Sequence, residues 1–207
     1  MTDPFPHLVS SRAVVLRLEN IDTDVITPIA RVLQGRQSAV RYAFEPLRFG
    51  SDGERLPSDP FNDQRRVGAQ VLIAGRNFGC GSSRETAAWA IRGLGFRVVI
   101  ASSFGDIFYS NCLKNGILAI RLEAGQVETL MDLGQELAEI EIDLPAQCVR
   151  SGSQAHDFQI GLLQKEILLS GLDEIGLMQT RGSAQALFDA RDALARPWVR
   201  NRTRMPG

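Results

Sequence analysis

The stretch AQVLIAGRNFGCGSSRETAAWAIRGLGFRVVIA, residues 69–101, decides the fold. Ala69 to Gly75 is a short apolar run without alternation, the pattern of a strand buried on both faces. Arg76 to Gly81 is a glycine-bearing loop. A helical stretch follows through Ala87, Ala88, Trp89, Ala90 and Ile91. Ser82 near its start, with Glu85 close behind, is an N-cap signature, and Gly93 and Gly95 stop it. Arg97 to Ala101 is a second buried strand. Phe104, Ile107, Phe108 and Leu113 mark another helix ending near Asn115 and Gly116, and Gly116 to Ile120 is a third strand. This order predicts a parallel α/β core with right-handed crossovers.

Working outward, Ala13 to Leu18 reads as the first strand, running into Asn20-Ile21-Asp22-Thr23-Asp24 and Pro28. No clean period survives from Ile29 to about Arg66. Within it, Phe49 to Pro60 is dense in Gly, Pro, Ser and Asp. Residues 29–66 are therefore expected as a mobile loop insertion of the lid or binding type. Downstream, Gln126 to Gln135 reads as a helix. Ile140 to Leu144, Gln147 to Arg150 and Asp157 to Ile160 read as strands, with a turn at Ser151-Gly152-Ser153. Leu162 to Leu169, Asp173 to Met178 and Ala184 to Leu194 look helical. One domain over 1–195 and a basic tail over 196–207, with Arg200, Arg202 and Arg204, is the expected organisation.

With 207 residues, 44% hydrophobic and 23% charged, the chain has ample material for a core. Lys and Arg number 23 against 24 Asp and Glu, so net charge supplies no drive toward nucleic acid or anionic membrane. No run approaches the ~20 apolar residues of a membrane span, and no signal peptide is evident. A cytoplasmic protein is the expectation. Cys80, Cys112 and Cys148 are odd in number and widely spaced, so neither a disulfide framework nor a paired metal site is indicated.

The loop from Asn77 to Glu85 is the richest in chemistry. Gly79 and Gly81 let the backbone turn sharply and a ligand approach. A helix start there would offer an anion site, Arg84 a two-pronged grip on a carboxylate, and Ser82 and Ser83 hydroxyls beside it. A plain glycine turn with a serine cap fits the spacing equally well. The GxxxxGK[ST] and GxSxG patterns are absent. Cys80 as a nucleophile would need His7 or His156, which have no motif context. Asp22 and Asp24 suit cation binding, orientation of an arginine, acid–base work, or simply an Asx turn. Asn111 suits a helix-end cap, and His156 a surface hairpin.

Taken together, Asn20-Ile-Asp-Thr-Asp24 with Pro28, Asn77-Phe-Gly-Cys-Gly-Ser-Ser-Arg-Glu85 and Ser103-Phe-Gly-Asp-Ile-Phe-Tyr-Ser-Asn111 resemble the small-subunit family of bacterial isopropylmalate dehydratases, in the aconitase superfamily. The likeness runs from about Val14 to Leu194. It implies a swivelling β/β/α domain like the C-terminal domain of aconitase. It also implies dehydration and rehydration of a substituted malate. By similarity Ser82 is the base, Ser83 and Arg84 hold a substrate carboxylate, Asp24 lies at the active site, and Thr23 helps place it. A [4Fe-4S] cluster is carried by a large subunit, none by this chain, and Ile29 to Leu33 falls in the selectivity loop. The implied partners are that large subunit and a small dicarboxylate, without nucleic acid or membrane.

The residues read alone agree. A dicarboxylate needs anion sites, its proton is weakly acidic, and the Lewis acid that the resemblance implies would have to come from elsewhere, because this chain lacks a cluster motif. Two departures stand out: Arg84-Glu85-Thr86-Ala87-Ala88-Trp89 where the family usually reads Arg-Glu-His-Ala-Pro-Trp, and Ile29 where it commonly has Lys. They leave open a related diacid, of the citraconate or dimethylmalate kind, or a non-catalytic metabolite-binding module.

Overall fold

A computed structural model describes residues 3–57, 59–81, 84–179 and 182. Of these, residues 3–171 form one unit, and 172–179 with 182 belong to a second. In the first unit, β2 (Ala13–Leu16), β3 (Val71–Ala74), β4 (Val98–Ala101) and β5 (Leu118–Arg121) make a parallel sheet in that order. Its register sets Leu16 opposite Ala74 and Val71 opposite Val98. A second, antiparallel sheet has the order β1 (Leu8–Ser11), β6 (Ile140–Asp143), β7 (Cys148–Ser151), β8 (Gln154–Asp157).

The apolar runs are continuous because the parallel strands are covered on both faces. Successive side chains still part to opposite sides. Val14, Leu16, Leu72, Ala74, Val99 and Ala101 face a core shared with α5 (Thr86–Gly93) and α6 (Asp106–Lys114). Ala13, Val71, Ile73, Val98 and Ile100 face the other core. There they meet Val127, Leu130 and Met131 of α7 (Ala124–Gln135), Ile140, Ile142 and Val149 of the antiparallel sheet, and Leu168 of α8 (Leu162–Ser170). The layers are thus helix, parallel sheet, antiparallel sheet, the β/β/α architecture that the resemblance implies. The order β3-α5-β4-α6-β5 is the one read from residues 69–120.

Three readings need correction. The strand placed at Asp157 to Ile160 lies at Gln154–Asp157 instead. β1 had no counterpart in the sequence reading. Residues 29–66 are not loop throughout: the described residues over 49–60 hold no helix, as read, but short helices flank them, α2 (Ile29–Leu33), α3 (Arg36–Arg41), α4 (Glu45–Arg48) and a 3-10 turn at Gln64–Arg66. Their anchor is Arg48, 4% exposed. Its Nη1 donates to the carbonyls of Ala43 (2.7 Å) and Arg41 (3.2 Å), and its Nε lies 3.7 Å from buried Asp59. The guanidinium sits over the rings of Phe49 and Phe61. Phe61 stacks on Phe44 at 4.8 Å, and Phe44 on Phe78 at 6.4 Å, so the insertion joins the core beneath the Asn77 loop.

In the second unit, residues 174–179 are helical, and Asp173 caps them through a 2.7 Å bond from the Gly176 amide. The helix expected at Ala184 to Leu194 and the basic tail over 196–207 lie outside the described residues. No helix among the described residues is long and apolar enough to cross a membrane.

Candidate functional site

The first three parallel strands end at one edge of the sheet, where crevices for ligands form in open α/β folds. Three loops meet there: Arg17 to Asp24 after β2, Gly75 to Glu85 after β3, and Ser102 to Gly105 after β4. The pairing does not stop with the strands. Asp22 bridges Cys80, and Phe78 bridges Phe104, both in parallel sense. The Gly79 amide donates to the Ile21 carbonyl at 2.7 Å and the Thr23 amide to Cys80 at 2.9 Å. On the other side, the Phe78 amide donates to Ser103 and the Gly105 amide to Phe78, each at 3.0 Å.

Such close passage demands glycine. Gly79 has φ +71°, and a Cβ there would lie 2.2 Å from the Phe108 ring. A Cβ on Gly105 would lie 2.5 Å from the Gly79 carbonyl oxygen.

Asp22 and Asp24 divide their roles. Asp22 caps α1 (Thr23–Ile26): its carboxylate accepts from the Val25 amide at 2.7 Å, which is the Asx-type reading. Asp24, in the first turn, has an exposed side chain and pairs with Arg84 through Nη2. Two residues 60 apart in sequence are thereby brought together. Thr23 is 2% exposed, so its side chain lies in the interior rather than on the open face. Ser82 and Ser83 lie outside the described residues, between Gly81 (φ +94°) and Arg84.

The helix start moves. α5 begins at Thr86, with Glu85 at the N-cap and no side-chain cap bond from it, and the serine expected to cap the helix lies outside the described residues. The Glu85 carboxylate accepts instead from Asn115 Nδ2 at 2.9 Å, beyond the end of α6. That amide also donates to the Asn111 carbonyl, and Asn111 is buried in α6. Sequence reasoning missed Asn115, since a bond between the ends of two helices has no local signal.

Cys80 is half-buried at the rim, its Sγ 3.6 Å from the Asn20 carbonyl oxygen. The histidines that a Cys80 nucleophile would need belong elsewhere: His7 just before β1 and His156 in β8, both on the antiparallel sheet. Cys112 is buried in α6, where desolvation pushes its thiol pKa far up, and Cys148 is buried in β7. The three cysteines sit in separate places and do not fit an iron–sulfur cluster. Among the described residues there is no group of three or more potential metal ligands of the His, Cys, Asp or Glu type.

Known proteins resemble the chain in sequence and in fold. The aconitase C-terminal domain family matches residues 52–125. The chain is 42% identical over 191 residues to the 3-isopropylmalate dehydratase small subunit of Jannaschia sp., covering 90% of this chain and 95% of that one. It is 44% identical over 194 residues to the same-named protein of Erythrobacter litoralis, covering 92% and 93%. The crystal structure of a 3-isopropylmalate dehydratase from Methanocaldococcus jannaschii superposes with a TM-score of 0.62 at 25% identity, over 86% of this chain and 98% of that one. With more than 40% identity along nearly the whole length of both chains, this protein belongs to the 3-isopropylmalate dehydratase small-subunit family.

Proposed function

We propose that this chain is the small subunit of a hydro-lyase that interconverts 2-isopropylmalate and 3-isopropylmalate by dehydration and rehydration, a step of leucine biosynthesis. The observation that carries the reading is the full-length likeness to proteins of that name. The chain works in the cytoplasm, paired with a large subunit that completes the site and carries the [4Fe-4S] cluster. That cluster supplies the Lewis acid for the departing hydroxyl.

The chain's own residues supply the rest. Ser82 removes the proton next to a substrate carboxylate. A serine hydroxyl is a weak base unless its alkoxide is stabilised, and the Arg84 guanidinium two residues on provides a fixed positive charge for that. Arg84 and Ser83 grip a carboxylate of the dicarboxylate substrate. The ion pair between Arg84 and Asp24 supports this assignment, because a guanidinium held on one side presents its remaining N–H groups in a set direction. Asp24 orients Arg84 and takes part in proton traffic at the same rim. Thr23 supports Asp24 from below.

A second reading concerns the substrate alone. Ile29, at the head of α2 and 49% exposed, replaces the usual lysine of the selectivity loop, which favours a diacid with a different side group. Anaerobic co-purification with the cognate large subunit tests both readings. Turnover is followed by ultraviolet absorbance against isopropylmalate, citraconate and dimethylmalate. The expected result is turnover of isopropylmalate by the complex and none by either subunit alone. Ser82→Ala lowers kcat by about 10²–10⁴-fold with little change in KM. Retained turnover in Ser82→Ala would remove serine from the role of base. A complex that turns over only citraconate or dimethylmalate would establish the second reading, and a cluster-loaded complex inert toward all three would leave a metabolite-binding module.

A further inference from the structure

We infer that Asn20, Asn77 and Ser103 form a polar tie that fixes the path of the loop carrying Ser82, and that they are positioning residues for the reaction. The inference rests on the assignment of Ser82 as the base and deepens it.

The tie lies where two neighbouring chains leave the parallel ladder together. Asn20 (φ +55°) and Asn77 (φ +57°) both take a left-handed backbone step, which asparagine tolerates better than other side chains. The Asn77 side-chain amide donates to the Asn20 side-chain oxygen at 2.9 Å. The same step turns the Asn77 backbone N–H toward the β4 loop, where it donates to Ser103 Oγ at 2.8 Å. Two successive amides therefore end on one residue, since the Phe78 N–H donates to the Ser103 carbonyl at 3.0 Å. Asn77 is bonded on one side to the loop that carries Asp24 and on the other to the loop that opens α6. Five residues later the chain reaches Ser82.

A purely structural role accounts poorly for this arrangement. The three loops are already joined by backbone bonds at Thr23, Phe78, Gly79 and Gly105. Asn20 is exposed, and Asn77 and Ser103 are only half-buried, so side-chain bonds here add little to stability. What they add is direction, in both rotation and shift, at the root of the catalytic loop. A misplacement of about 1 Å at a reacting group costs about 10²-fold in rate.

The test uses the reconstituted complex with the large subunit. Asn77→Gly keeps the left-handed backbone and deletes the side-chain bond. Ser103→Ala deletes the acceptor for the Asn77 amide, and Ser103→Thr keeps it. We expect Asn77→Gly and Ser103→Ala each to lower kcat by about 10–100-fold with KM within about twofold and with Tm nearly unchanged. Ser103→Thr recovers most of the loss. Wild-type kcat in both variants, beside an inactive Ser82→Ala complex, overturns the tie. A loss of kcat that tracks a falling Tm and is not recovered by Ser103→Thr overturns it too, since it makes the bonds structural. Turnover retained in Ser82→Ala is a different failure, that of the base assignment itself.

Discussion

At the carboxyl edge of the parallel sheet, Gly79 and Gly105 let backbone and ring come closer than any side chain would allow, and the loops there are joined mainly by main-chain bonds. Forty residues earlier in the chain, the insertion of α2, α3 and α4 is organised by side chains: a buried guanidinium, a buried carboxylate and a row of stacked rings. The first kind of packing has no slack, which suits a rim that must hold Asp24 and Arg84 in fixed relation. The second tolerates small shifts in backbone but depends on a few polar partners. A clash should therefore damage the rim, and an orphaned charge should damage the insertion.

The largest expected effect is on the insertion. Arg48→Met leaves Asp59 buried with its main cation gone, and breaking a buried pair from one side costs about 3–5 kcal/mol. Arg55, 3.8 Å from the same carboxylate but half exposed, places the value toward the low end. The double variant Arg48→Met with Asp59→Leu should recover much of it, because no charge is then left unpaired. Urea denaturation of the three proteins decides. A cost below about 1 kcal/mol for the single variant would show that the ring stack alone holds the insertion.

At the rim the sharpest probe is Gly79→Ala. The new methyl meets the Phe108 ring at 2.2 Å and sits on a backbone with φ +71°. Overpacking and the left-handed penalty together predict a loss of about 2–3 kcal/mol. Measured in a Phe108→Ala background, which removes the Cγ and Cδ1 atoms nearest the new methyl, the cost of Gly79→Ala should fall toward its conformational part. Full recovery would mean that the left-handed turn carries no cost, and no recovery would mean that the ring is not the obstacle.

The same contrast explains what the sequence disclosed. The parallel strands were legible because burial on both faces leaves unbroken apolar runs such as Val71 to Ala74 and Val98 to Ala101. The rim was legible at Gly79 and Gly81, which both take positive φ, whereas the left-handed steps at Asn20 and Asn77 were not. The insertion was not, because its helices of four to six residues are too short to show a period and its anchor, Arg48 with Asp59, spans eleven positions. β8 was misplaced because its side chains are mostly exposed and give no apolar signal, whereas Phe158 and Ile160 just beyond it do. β1 is four residues long and buries only Val9 and Ser11. The meeting of Asp24 with Arg84 depends on strand register, which no local pattern encodes. α5 opens at Thr86, and the Glu85 carboxylate before it is engaged by Asn115, thirty residues on, a partner with no local signal.

The smallest effect separates a half-buried ion pair of the insertion from the buried pair of Arg48 and Asp59. Arg31 donates to both Glu45 oxygens, from Nε at 2.9 Å and from Nη2, and its guanidinium lies 3.9 Å from the centre of the Tyr42 ring. The hydrogen bonds to Arg31 hold the Glu45 carboxyl below its ordinary value of 4.5, with burial opposing them. A carboxyl depressed in the folded state contributes stability that is complete above its unfolded value and is lost as pH falls through the folded one. The Tm difference between the native chain and Glu45→Gln should thus be small and constant from neutral pH down to about 5, then shrink toward zero as the medium is acidified below 4.5. Both side chains remain more than a quarter exposed, so 1 M salt, with a screening length of about 3 Å, should reduce the difference at neutral pH as well. A difference that survives both acid and salt would assign the contribution to packing on Tyr42 rather than to charge.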